Sequence, residues 1–271
     1  MEPFHIERFM FYQGRKLYGL VLRGYSRPGA LEQTTDILAR HGIDITYLSL
    51  GPVRSGERGS IILFLDFTEA DVKPEELAEE LEALEFIEEA EVIKPRFEGL
   101  IADESSFPIM LGSHRALILS KPALRGFLIK FREHLGSGGE AMLYHIGREV
   151  GAERGRHIDR EAEKMGIKRL RDKFIMGEIL FKSLGYGIPQ ITEFSDDPPY
   201  LKMRVYHCIE CELGHNVGRP FSHYVRGVIA GFASEIFNRE MLAKETRCIA
   251  MGDPYCEFEA KPKEISRRRG W

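Results

Sequence analysis

All four cysteines of this 271-residue chain fall between positions 208 and 256. In a reducing compartment such a cluster does not form a disulfide framework, so a metal site or a redox pair becomes the natural reading. Cys248 and Cys256 bracket the turn Gly252-Asp253-Pro254, so a hairpin there brings their sulfurs together across paired strands, with Glu245 three residues before Cys248. Cys208-x-x-Cys211 has the two-residue spacer common in zinc knuckles. Both spacings meet an obstacle: strand residues three apart point to opposite faces. Cys208 and Cys211 share an ion only if their strand bends, and Glu245 and Cys248 only across a bulge. The alternative is four small buried thiols, cysteine being among the most buried residue types.

The pattern elsewhere predicts an α+β chain of two domains, as its length suggests. Residues 17–26 read as a strand ended by Pro28-Gly29, followed by a helix over 30–41 with Gly42 as its stop. Strands are expected at 43–53 and 59–67, joined through Ser55-Gly56. A helix then opens at Pro74 with Leu77, Leu81 and Leu84 on one face, and a last strand covers 86–94. This is the ferredoxin-like βαββαβ order. From Leu100 on, Leu124, Phe127, Leu128, Phe131 and Leu135 predict one helix, and Met142, Leu143, Ile146 and Val150 a second beginning near Gly139. A third helix over 168–184, strands over 188–194 and 200–211, a helix over 222–238 and a hairpin over 242–250 and 256–261 complete the expectation. Residues 1–96 hold eleven Lys and Arg against eighteen Asp and Glu, while the remainder is net basic. That shift places the boundary near Pro95, giving domains 1–96 and 97–262 and a basic tail, 263–271.

The segment Gly24-Tyr-Ser-Arg-Pro28-Gly29-Ala30-Leu31, followed by helix, Gly42 and Ile45, resembles the start of an ACT domain. The resemblance implies a regulatory module that takes an amino acid at Pro28, Gly29 and Ala30, where free backbone N–H groups at a helix start favour a carboxylate. Arg27 stands where an acidic residue often precedes that Pro-Gly.

The helix run Ser222-His-Tyr-Val-Arg-Gly227-Val-Ile-Ala-Gly231-Phe-Ala-Ser, followed by Glu245-x-x-Cys248-x3-Gly252-Asp253-x-x-Cys256, resembles the 4-vinyl-reductase, or hydrocarbon-binding, domain family. That family's fold is similar to TRAPP vesicle-tethering subunits. The resemblance implies a zinc ion on Glu245, Cys248 and Cys256, with a further cysteine at the helix start. Ser222 occupies that place here, and Cys211, on the apolar face of its expected strand, is taken as the fourth ligand, with Cys208 and His223 in reserve. Gly227, Ala230, Gly231 and Ser234 form a small-residue strip, which serves either close helix packing or a flat apolar ligand lodged at Gly227, Gly231 and Phe232.

No G-x-S-x-G, H-E-x-x-H, Walker or dinucleotide-binding signature occurs. The chain has a formal net charge of −4, and its basic run over 148–173 reads as a solvated helix face, so direct nucleic-acid binding is not expected. No apolar run approaches the ~18 residues of a membrane span. The expectation is a cytoplasmic, homodimeric, non-enzymatic sensor of a small apolar molecule with a structural zinc site. The alternatives are a reductase or accessory enzyme acting on a tetrapyrrole or hydrocarbon, and an assembly scaffold.

Overall fold

The computed structural model describes residues 2–214 and 217–264. The basic tail expected at 263–271 therefore lies mostly outside the described residues. The chain divides into two compact units, Met1–Leu117 and Ile118–Trp271.

In the first unit a short strand β1 (Phe9–Phe11) precedes β2 (Leu17–Tyr25), α1 (Ala30–Arg40), β3 (Asp44–Leu50), β4 (Arg58–Asp66), α2 (Pro74–Glu82) and β5 (Ile87–Ile93). The last six elements form an antiparallel sheet ordered β3-β4-β2-β5 with its two helices, the ferredoxin-like arrangement. Strand β2 is apolar at both parities, so both faces of the sheet need a cover. Leu20 and Leu22 pack with Ile37 and Leu38 of α1 and Leu77 and Leu81 of α2. Leu17 and Val21 face the other way, against Phe64, Ile93 and Ile101. Ile101 belongs to β6 (Leu100–Ala102), which pairs with β1 in a two-stranded ribbon. The first unit thus reaches past residue 96, because the ribbon ties the following segment back to its sheet. A two-residue-per-strand hairpin, β7 (Met110–Leu111) and β8 (His114–Arg115), follows within the same unit.

The second unit opens with α3 (Lys121–Arg125), which runs through a π-helical turn at Gly126–Lys130 into α4 (Phe131–Lys164). The two helices expected on either side of Gly139 are thus one continuous path, broken in geometry at Gly136 (φ 55°, ψ −137°). Next come α5 (Leu170–Ser183), β9 (Ile188–Ser195), β10 (Tyr200–Tyr206), α6 (Tyr224–Ile236), β11 (Met241–Arg247) and β12 (Cys256–Pro262). The sheet order is β11-β12-β10-β9, antiparallel throughout. Its core joins Leu201, Met203 and Val205 of β10 to Val225, Ile229 and Ala233 of α6 and Phe258 of β12.

Helices α4 and α6 meet backbone to backbone. A Cβ at Gly151 would lie 2.1 Å from the Val228 carbonyl oxygen, and one at Gly231 would lie 1.9 Å from that of Arg148. Gly147 and Gly227 stand in the same relation to Tyr224 and Tyr144. The small-residue strip is therefore filled by a neighbouring helix. No helix among the described residues is long and apolar enough to cross a membrane.

Candidate metal centre

Three backbone irregularities bring the cysteines together. Strand β10 stops at Tyr206 instead of running to 211, and His207 takes a left-handed conformation (φ 53°) that turns the chain inward. Cys208 follows, and Cys211–Leu213 form a single 3-10 turn, so the strand-face objection to this pair disappears. On the other side, the pairing of β11 with β12 slips between Glu245 and Arg247. The slip supplies the bulge that Glu245 and Cys248 need. Cys248 ends β11, where its N–H donates to Asp253 Oδ2 at 2.8 Å while the Asp253 N–H returns to the Cys248 carbonyl. Gly252 (φ 96°) supplies the left-handed residue of that turn. Cys256 then opens β12 opposite Val205.

The result is a buried cluster of Cys211, Glu245, Cys248 and Cys256, whose ligand atoms all lie within 4.8 Å of one another. The Cys248 and Cys211 sulfurs are 3.6 Å apart, and the Cys211 thiol donates to Glu245 Oε1 at 3.5 Å. Bonds of about 2.3 Å from a tetrahedral zinc to sulfur place neighbouring sulfurs about 3.8 Å apart. The cluster can hold a metal ion, and its donor chemistry and spacing fit one that favours thiolates. Cys208 is fully buried beside it, with its sulfur against those of Cys211 and Cys256.

The electrostatics agree with a cation-seeking pocket. Burial, followed by the nearby Cys248, pushes the Glu245 carboxyl up to about 9. Contact with Cys208 drives the thiols of Cys211 and Cys256 upward. Hydrogen bonding from Cys211 draws Cys208 and Cys248 down, Cys248 to about 2. Without a cation only some of these groups can carry charge at once; a divalent ion lets the others release their protons.

Beneath the cluster lies a second buried network that the sequence reading missed. Glu210, inside the Cys208-x-x-Cys211 spacer, accepts the N–H groups of His223, Tyr224 and Val225 at 2.9, 3.1 and 2.8 Å. Its carboxylate caps the start of α6 and also pairs with Arg132 of α4. Arg132 in turn donates to the Phe221 carbonyl at 2.7 Å and lies 4.1 Å over the Phe221 ring. Ser222, where the family resemblance places a thiolate, bridges the two networks. Its N–H donates to Glu245 Oε2 at 2.8 Å and its hydroxyl to Glu210 Oε2 at 3.1 Å. The available sequence signal was an acid enclosed by Ile209 and two cysteines ahead of a helix with no side-chain cap of its own.

The other expected binding residues are placed differently. Gly227 and Gly231 face the backbone of α4 at contact distance, so they leave no room for a ligand. Phe232 packs on Gly177, where a Cβ would lie 2.6 Å from its ring, and meets Phe174 edge-on at 5.5 Å. Gly29 (φ 81°) is the left-handed residue before α1. Of Pro28, Gly29 and Ala30, only Ala30 lines the adjacent cleft of about 110 Å³, together with Tyr25, Arg27, Leu31, Leu50 and Phe86 among others. Arg27 stacks on Phe86 at 4.5 Å. In the second unit a groove of about 440 Å³ opens between α5 and β9. Its floor includes Ile175, Ile179, Ile188 and Ile191, and its rim includes Arg171 and Lys182. Ile179, expected inside the core, is 59% exposed there, while Phe174 and Phe181 carry the buried face of α5.

Comparison with known proteins gives both units a family. Residues 18–86 match the ACT domain model and residues 201–262 the 4-vinyl-reductase domain model, so both resemblances read from the sequence hold. Among curated proteins, the uncharacterized protein MJ0150 of Methanocaldococcus jannaschii is 35% identical over 127 residues, 46% of this chain and 66% of its own length. The uncharacterized protein MJ1642 of the same organism is 26% identical over 133 residues, 49% and 71% of the two lengths. Among solved structures, the phenol-responsive sensory domain of the transcription activator PoxR matches with a TM-score of 0.51 at 17% identity, covering 56% of this chain and 79% of that one.

Proposed function

We propose that this protein, built from an ACT domain and a 4-vinyl-reductase-type domain, is a cytoplasmic, homodimeric regulator that senses a small apolar molecule without transforming it. The observation that carries the reading is the likeness of fold to a phenol-responsive sensory domain, in a chain that also holds an ACT domain. A structural zinc ion in the cysteine cluster braces the end of β10, the β11–β12 turn and the start of α6. The ligand enters the groove between α5 and β9, since Gly227 and Gly231 are filled by α4. Its apolar floor accepts a ring or short chain, and Arg171 and Lys182 suit a hydroxyl or carboxylate at the rim. Binding stabilises one packing of α5 on the sheet and thereby shifts the population that a partner recognises. A second ligand, an amino acid, occupies the cleft beside Ala30.

The test is a thermal-shift screen of the full chain against phenols, isoprenoids and medium-chain fatty acids. A rise in melting temperature with one class in the wild type, absent in Ile179→Glu, supports the reading. Silence across all three classes overturns it.

A further inference from the structure

The compact group of Cys211, Glu245, Cys248 and Cys256 leaves a fifth buried donor beside it. Cys208 has no solvent exposure and contacts the sulfurs of Cys211 and Cys256. Its sulfur also accepts the backbone N–H groups of Glu210 and Cys211, two and three residues further along the chain. Cys248 is served in the same manner by the amides of Phe221 and Ala250. Amide donors gain most from a charged acceptor, so this backbone is arranged for thiolates at both positions. Glu245, by contrast, already spends Oε2 on the Ser222 N–H at 2.8 Å. It is anchored to the start of α6, whereas Cys208 sits on a short turn whose amides point at its sulfur.

Resting on the reading that this cluster holds zinc, we infer that the ion is bound by four thiolates, Cys208, Cys211, Cys248 and Cys256, with Glu245 outside the coordination shell as the partner of Ser222. Zinc takes four sulfur ligands in structural sites, and each two-residue-spaced knuckle contributes amides that offset the charge of its thiolates. This also accounts for the serine at the helix start. The thiolate that the family resemblance places at position 222 comes instead from the turn after β10, and Ser222 orients the two buried carboxylates, Glu245 and Glu210. The sets with Cys208 and with Glu245 share three cysteines, so they differ in one countable respect: four sulfurs, or three sulfurs and one oxygen.

The experiment is X-ray absorption at the zinc edge on the zinc-loaded full chain. Four zinc–sulfur paths at about 2.3 Å and no oxygen path near 2.0–2.2 Å are expected. Three sulfurs with one oxygen overturn the inference while leaving the zinc reading intact. A chain that takes up no stoichiometric zinc overturns both. Two variants carry the same distinction independently. Glu245→Gln keeps a count of four sulfurs, and Cys208→Ser lowers it to three. A count of three in the wild type that Cys208→Ser leaves unchanged refutes the assignment, and the wild-type spectrum decides alone if Cys208→Ser does not fold.

Discussion

Glu210 and Arg132 form an ion pair in which the glutamate has no solvent exposure and the arginine retains 7%. The pair joins the cysteine knuckle to α4, and through the three amides it accepts, Glu210 also fixes the start of α6. Removing one member of a buried pair leaves the other charged and unsolvated, at a cost of about 3–5 kcal/mol. Glu210→Ala is therefore expected to lower the urea midpoint of the second unit severely. Arg132→Met in the same chain recovers part of the loss, because it removes the stranded charge. A double-mutant cycle by urea denaturation measures the coupling, and strictly additive losses would contradict it.

The contact between α4 and α6 tolerates nothing larger than hydrogen at its centre. Gly151→Ala puts a methyl 2.1 Å from the Val228 carbonyl and forces the helices apart. Overpacking of this kind costs roughly 1–3 kcal/mol. Gly138→Ala, on the same helix with nothing within 4 Å, is expected instead to stabilise by about 0.4–1 kcal/mol through the unfolded chain. Chemical denaturation of the two variants should show shifts of opposite sign.

In the first unit, His41 links the end of α1 to α2. One ring nitrogen lies 2.7 Å from Glu80 and the other 2.9 Å from Asp71, and hydrogen bonding to Glu80 foremost raises its pKa. A folded pKa above the unfolded value means that the stabilisation is complete below the ordinary histidine range, about pH 6.5, and fades as pH rises through the folded value. The stability advantage of the wild type over His41→Asn should be largest near pH 5.5 and shrink toward pH 8.5, roughly one to two units either side of that range. A difference that is flat with pH, measured by paired denaturation series, would count against the ion-paired histidine.

Metal removal should be felt at the β11–β12 turn and the segment after β10. An ion that binds only the folded state stabilises by about 4 kcal/mol when present at 1,000 times its dissociation constant. Stripping it with a strong chelator is expected to lower the melting temperature and to raise amide exchange at Cys211, Cys248 and Ala250. Exchange within β2 and β4 should stay unchanged. Identical exchange at the cysteines with and without chelator would speak against a bound ion.

Much of the architecture is written locally. The apolar run in 17–25, the Pro-Gly stop before Ala30 and the leucine spacing after Pro74 fix the βαββαβ order, because each depends on neighbours within a few residues. The confinement of four cysteines to 208–256, with Glu245 among them, likewise marked the site before any fold was known.

What the local pattern could not carry was decided by packing between distant segments. Strand 200–211 read as continuous because its alternation persists beyond Tyr206; only the left-handed turn at His207 brings Cys208 toward Cys256. The β1–β6 ribbon is two three-residue strands, too short to show a period, and exists because the second apolar face of β2 has to be covered. Gly227 and Gly231 were equally compatible with a ligand and with a helix, since a missing side chain does not say what fills its place. The sequence thus determined which elements form and where the metal-binding chemistry is stored. Tertiary structure alone decided which donors meet and which gaps stay open, because those depend on the approach of backbones far apart along the chain.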